Sequence, residues 1–166
     1  KALSAILKEI IESNKSCELD PARVKEKDEV KKRKIIADNY KRLYSWVTKI
    51  WKRLYATSND LPIEIRNVLK IFRQKLEIIC IDDTLQIILN GISGLLFLRF
   101  FCPVILNPKL FKYVSQNLNE TARRNLTLIS KVLLNLSTLT QFANKEPWLM
   151  KMNNFIDKRH NDLLDY

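Results

Sequence analysis

Residues 97–108 read Phe97-Leu98-Arg99-Phe100-Phe101-Cys102-Pro103-Val104-Ile105-Leu106-Asn107-Pro108. This places one arginine in an intensely apolar stretch that ends in two prolines five residues apart. A guanidinium offers five N–H donors in a fixed fork and stays charged at every physiological pH. Buried or half-buried, it must pair with an acid or donate to backbone carbonyls, because the donors cannot be left dry. Two chemistries are therefore open to Arg99: an internal ion pair, or the organisation of a neighbouring loop.

The other residues that could carry chemistry point to no reaction. His160, the one histidine, has no serine or cysteine partner at a recognisable spacing and reads as a surface residue. Cys17, Cys80 and Cys102 are odd in number and far apart, with no C-x-x-C pair, so a disulfide framework and a structural zinc site are both disfavoured. That cysteine usage fits a reducing compartment. There is no nucleophile elbow and no pair of carboxylates in an apolar setting. Gly91 and Gly94 lie on adjacent helical turns and read as close packing against a neighbouring helix, since the phosphate-binding pattern G-x-x-x-x-G-K-[ST] is absent. Asn119, Asn125 and Asn135 each open an N-x-[ST] triplet. All three fall within one amphipathic helix and read as chance matches rather than glycan sites.

Charge is the strongest compositional signal. Lys plus Arg number 29 against 18 Asp plus Glu, a formal net charge of +11. Eleven of the basic residues fall between 25 and 53, against four acids. Such an excess suits an acidic partner. A nucleic-acid surface would also need exposed aromatic rings for stacking. Here Tyr40, Tyr44, Trp51 and Tyr55 fit the apolar stripe of a helix, so no nucleic acid is expected as a partner.

The elements that position these residues are helical. With 46% hydrophobic residues the 166-residue chain can build one domain's core, and two glycines are too few for a sheet-rich fold. Apolar spacings of three and four predict a helix over 2–13 and a long one over 35–56, with 26–34 charged and mobile. Pro62 opens a third helix that carries Ile65, Leu69, Phe72 and Leu76. Asp82 or Asp83 caps a fourth that runs to about Phe100, apolar nearly all round after Leu85 and therefore central. A short turn of helix follows around 109–114. Asn119 caps a helix to about Thr140, and Pro147 begins the last one. The apolar run from Leu95 to Leu106, broken by Arg99 and Pro103, is too short to span a bilayer.

Residues 97–108 resemble the F-L-R-x-x-x-P-A-I-x-x-P pattern of the GTPase-activating domain for Ras-like small GTPases, the RasGAP domain, with Val104 in place of alanine. Ser16-Cys17-Glu18-Leu19-Asp20-Pro21 is similar to that family's S-C-E-L/V-x-P loop. Residues 124–131 and Lys145-Glu146-Pro147-Trp148 resemble two further blocks. The four blocks stand in family order across essentially the whole chain. The chain is identified as a member of the RasGAP family, with the fungal bud-site-selection branch, and hence cell polarity, as its expected place within it.

The resemblance implies an all-α fold and a single domain over 1–166 that forms the C-terminal portion of a RasGAP domain. It implies a GTPase activator that is no enzyme with a substrate of its own. Its partner would be a Ras-like or Rap-like small GTPase in the GTP form. No cofactor is expected of this chain, because nucleotide, magnesium and the water-orienting glutamine belong to the GTPase. The expected location is cytoplasmic, with membrane contact only indirectly, through the lipidated GTPase at the plasma membrane. By the same resemblance, Arg99 is the secondary arginine that steadies the loop of an arginine finger without being the finger. Leu98, Lys131, Asn135, Thr138, Lys145 and Glu146 belong to the GTPase-binding set, with Lys131 paired to Glu146. Pro103, Asn107 and Pro108 are structural.

The chain departs from the family pattern twice. No F-R-x-[NA]-[ST]-L finger motif occurs in it, and since it begins at Lys1 the finger is expected upstream. Thr138 stands where the family usually has asparagine, which suggests a Rap-like rather than a Ras partner. A scaffold that binds the GTPase without accelerating hydrolysis is the alternative.

Overall fold

A computed structural model describes residues 3–79 and 84–165; the expected caps Asp82 and Asp83, and Cys80, lie outside them. Among the described residues the regular structure is helical throughout. The α-helices are α1 (Ser4–Glu12), α2 (Glu29–Ala56), α3 (Ile63–Ile79), α4 (Thr84–Leu96), α5 (Cys102–Leu106), α6 (Glu120–Ser137), α7 (Asn153–Lys158) and α8 (His160–Asp165). Wider or tighter turns join several of them.

Helix α2 starts six residues before the expected point, and the charged stretch thought mobile is its first turns. Asp28 explains this: its carboxylate accepts from the N–H groups of Val30 and Lys31 at 2.9 and 3.1 Å, so two orphan donors are met at the N-terminus. In the same way the Asn119 side chain accepts from Ala122 N–H at 2.7 Å and opens α6. Residues 109–114 form turns rather than helix, and the stretch after Pro147 divides into a 3₁₀ segment (Pro147–Met152), α7 and α8.

The core is built where α1, α2, α6 and the C-terminal helices meet. Leu7 and Ile10 of α1, Leu43, Val47 and Ile50 of α2, Leu126, Ile129 and Leu133 of α6, and Phe155 of α7 are fully buried. Trp51 stacks on Phe97 with ring centroids 6.1 Å apart, which ties α2 to the turn after α4. Trp46, outside the expected stripe, is buried, whereas Tyr55, within it, is 40% exposed.

Helix α3 lies outermost and buries no residue completely. Its Ile65 and Leu69 turn inward against the core, while Val68, Ile71, Ile78 and Ile79 face solvent. Gly91 is the close-approach point: a Cβ there would lie 3.0 Å from Leu76 Cδ1 of α3. Gly94 is different, since the nearest atom to its Cβ position is Thr138 Cγ2 at 3.9 Å, an ordinary contact.

The helical run Ile87–Leu106 is long and apolar enough, by length and composition alone, to cross a membrane, against the expectation from its interruptions. It carries Arg99 and packs against α3 and α6. It is also less buried than its composition suggests, because Ile87, Leu98 and Phe100 are exposed.

Candidate functional site

The site is built on the junction of α4 and α5. Residues Phe97–Phe101 form a π-helical turn in which Cys102 N–H reaches back five residues to the Phe97 carbonyl. Pro103 follows and has no N–H to offer, so the regular i→i−4 ladder cannot resume until the proline has been passed. The widened turn accommodates an extra residue, and such turns recur at functional sites.

Leu98, Arg99 and Phe100 are consecutive and all exposed, a grouping that the apolar pattern did not predict. Arg99 is thus neither buried nor half-buried, and it enters no ion pair among the described residues. Phe97, two residues earlier in the turn, takes the buried place, with its ring against Trp51 and Phe101. The internal ion pair considered for it is therefore not formed with any described residue.

Helix α6 supplies the neighbouring wall. Ser93 of α4 donates to the Ser137 carbonyl at the end of α6, and Thr138 rests beside Gly94. Leu98 follows Gly94 by four residues and is exposed at the start of the π-helical turn. Lys131, Asn135 and Thr138, at spacings of four and three, run along one side of α6 and are half-buried. Beyond α6, Lys145 is exposed, and Lys131 Nζ forms an ion pair with Glu146 Oε1, as the family pattern implied. An open pocket of about 440 Å³ adjoins Thr138 and is lined by Asn90, Leu139, Gln141, Ile156, Asp157 and His160. The structural set also has visible roles. Pro103 sits in the first turn of α5, the Asn107 N–H closes that helix on the Pro103 carbonyl at 2.9 Å, and buried Pro108 accepts from Tyr113 N–H at 2.8 Å.

A second assembly holds the 15–20 loop. Arg124 grips Glu18 through two hydrogen bonds, and Asn125 accepts from Cys17 N–H and donates to the Lys15 carbonyl, both at 2.8 Å. From α2, Asn39 donates to the Glu18 carbonyl at 2.8 Å, and Arg42 donates to the Ser16 carbonyl and to Asn39 Oδ1. Neither Asn39 nor Arg42 stood out in the sequence, where they belong to a run of charged and polar residues. Asn125, read there as a chance N-x-[ST] match, is buried at the centre of this assembly.

Neither buried thiol offers a nucleophile. Burial pushes Cys17 up to about 12 against the charge of Arg42, and pushes Cys102 up to about 11, so both stay protonated at neutral pH. The described residues hold no cluster of His, Cys, Asp and Glu suited to a metal ion. What the surface offers is recognition: an apolar Leu98, an exposed guanidinium, hydroxyl and amide groups, and an exposed lysine.

Residues 1–138 match the family described as GTPase-activator protein for Ras-like GTPase. The chain belongs to the RasGAP family. It is 43% identical over 135 residues to the GTPase activating protein BUD2 of Candida albicans, covering 81% of this chain and 11% of that protein. It is 34% identical over 157 residues to the probable Ras GTPase-activating-like protein ngap of Dictyostelium discoideum, covering 94% and 17%. With the human Ras GTPase-activating protein 1 it shares 30% over 155 residues, covering 93% and 14%. The chain thus spans between 11% and 17% of the length of these relatives. The RasGAP blocks at 16–21, 97–108 and 124–131 are the segments the fold brings together around α6.

Proposed function

We propose that this chain is the C-terminal two-thirds of a RasGAP domain. It binds a GTP-loaded Ras-like or Rap-like GTPase and supports an arginine finger supplied from upstream of Lys1. The observation that carries this reading is the exposed Arg99 on a π-helical turn beside Leu98. There its guanidinium is exposed and has no ion pair among the described residues, so it can take the backbone carbonyls of a loop laid against it, which is what holding a finger requires. Lys145, exposed and adjacent to the Lys131–Glu146 pair, suits an acidic partner surface. Trp46 and Trp51 are buried, which leaves the basic helix α2 without their rings for base stacking.

The chemistry belongs to the GTPase, which carries nucleotide, magnesium and attacking water. A finger arginine neutralises charge that develops on the transferring phosphoryl group and is worth about 10³–10⁵ in rate, a magnitude known from Ras–GAP systems themselves rather than obtained from this chain. Without a finger motif the 166 residues should bind but hardly accelerate. Single-turnover GTP hydrolysis at saturating activator tests the assignment. The 166-residue chain should leave the intrinsic rate almost unchanged, and a longer chain that carries the finger should raise it steeply. In that longer chain, Arg99→Ala should lower the plateau rate more than it weakens binding, because a loosened finger is lost mainly in the transition state. A full plateau with only the apparent binding constant raised would make Arg99 a docking residue. Binding without acceleration by the longer chain would favour the scaffold reading.

A further inference from the structure

The loop between α6 and the 3₁₀ segment at Pro147 is short and heavily constrained. It leaves α6 through Leu139, which has φ +50°, a left-handed conformation that a leucine adopts only when its surroundings impose it. Three residues on, both backbone groups of Phe142 are taken by one side chain: Asn153 Oδ1 accepts from Phe142 N–H at 2.8 Å, and Asn153 Nδ2 donates to the Phe142 carbonyl at 3.0 Å. The Phe142 ring is buried beneath.

A tight turn follows at once, closed by Glu146 N–H on the Ala143 carbonyl at 3.0 Å. Lys145 is the third residue of that turn. One end of the turn is therefore fixed by Asn153 and the other by the Lys131–Glu146 ion pair, and Lys145 projects between them. An asparagine suits the clamp, since its planar amide presents one acceptor and one donor to the matching pair of a peptide. An aspartate would set a carboxylate against the Phe142 carbonyl.

We infer that Asn153, at the start of α7, is a positioning residue for GTPase recognition: it fixes the turn that aims Lys145 at the partner. This rests on the GTPase-binding reading above. It adds to that reading a residue outside the segment that matched the family and outside the expected site.

The test is a double-mutant cycle on affinity for Ras and Rap proteins loaded with the non-hydrolysable analogue GppNHp, using the 166-residue chain. Lys145→Ala should weaken binding about fivefold or more in the unaltered chain and less than about twofold in an Asn153→Ala background, where the lysine is no longer aimed. Leu98→Ala serves as the control, with the same fold-loss in both backgrounds. Circular dichroism checks the fold, and Asn153→Ser replaces Asn153→Ala if the latter unfolds. An unchanged Lys145 penalty would reduce Asn153 to a purely structural part and overturn the proposal alone. If the unaltered chain binds neither GTPase, the GTPase-binding reading falls, and this proposal with it.

Discussion

Glu18 and Arg124, 106 residues apart in the chain, are joined by two hydrogen bonds, Nε to Oε2 at 2.6 Å and Nη2 to Oε1 at 3.1 Å. The same carboxylate accepts from the N–H groups of Leu19 and Asp20, so one buried acid holds the 15–20 loop in shape and fastens it to α6. Burial pushes the Glu18 carboxyl up. The hydrogen bonds and charge of Arg124, with the Asp20 and Leu19 N–H groups, outweigh it and hold the group below the ordinary carboxylate range.

A depressed pKa in the folded state stabilises the protein above the unfolded value of about 4.3, and that contribution is lost as pH falls through the folded value. Stability should therefore decline on acidification below about pH 4.3. Glu18→Gln should cost about 3 kcal/mol at pH 7, the low end for a broken buried pair because Arg124 is partly exposed, and should flatten the acid limb. Urea unfolding at pH 7 and pH 3 measures both effects. Parallel pH curves for the two proteins would contradict the assignment.

Gly91 separates helix propensity from packing. A Cβ there meets Leu76 Cδ1 at 3.0 Å, the flexible end of a side chain on the outlying helix α3. Alanine gains about 1 kcal/mol of helix propensity, and a small rotation of Leu76 gives part of it back. Gly91→Ala should thus lie within about 1 kcal/mol of the unaltered chain. Gly91→Leu should cost about 1–3 kcal/mol by forcing α3 outward. Thermal unfolding of the two variants decides, and a large loss for alanine would mean that Leu76 cannot yield.

The net charge of +11 and the exposed Lys145 bear on encounter with an acidic partner. The association rate with a GTP-loaded Ras-like GTPase should fall about tenfold or more between low and physiological salt. Lys145→Glu should lower affinity and shallow that salt dependence. Stopped-flow association across a salt series reads both. A rate indifferent to salt would assign the charge to another partner.

The fold was legible where period and caps agreed. Asn119 placed the start of α6 to the residue, and the stripe Ala122, Leu126, Ile129, Leu133 and Leu136 is its buried face, since a cap and a buried face are both local in sequence; the expected end at Thr140 ran three residues too far, and Thr140 is exposed beyond the helix. The start of α2 was missed because a charged run looks like a loop until the Asp28 carboxylate is seen on two amides. The exposure of Arg99 was missed for a different reason. Hydrophobic composition predicts burial only while the helix keeps one period, and the π-helical turn before Pro103 changes the direction of every side chain it carries. Lys131 and Glu146 were placed together by family resemblance, whereas Asn39, Arg42 and Asn153 act on backbone groups distant in sequence. Such contacts leave no pattern in a single chain.

The central claim is that this surface reads the GTP-bound state of a Ras-like GTPase. Titrating the 166-residue chain, by calorimetry, against Ras and Rap proteins loaded with GppNHp or with GDP tests it most directly. Saturable one-to-one binding to the GppNHp form of at least one of them, at least about tenfold tighter than to its GDP form and weakened by Leu98→Ala and by Lys145→Ala, is the result predicted. Equal affinity for the two nucleotide states, or no binding to either GTPase, would contradict it.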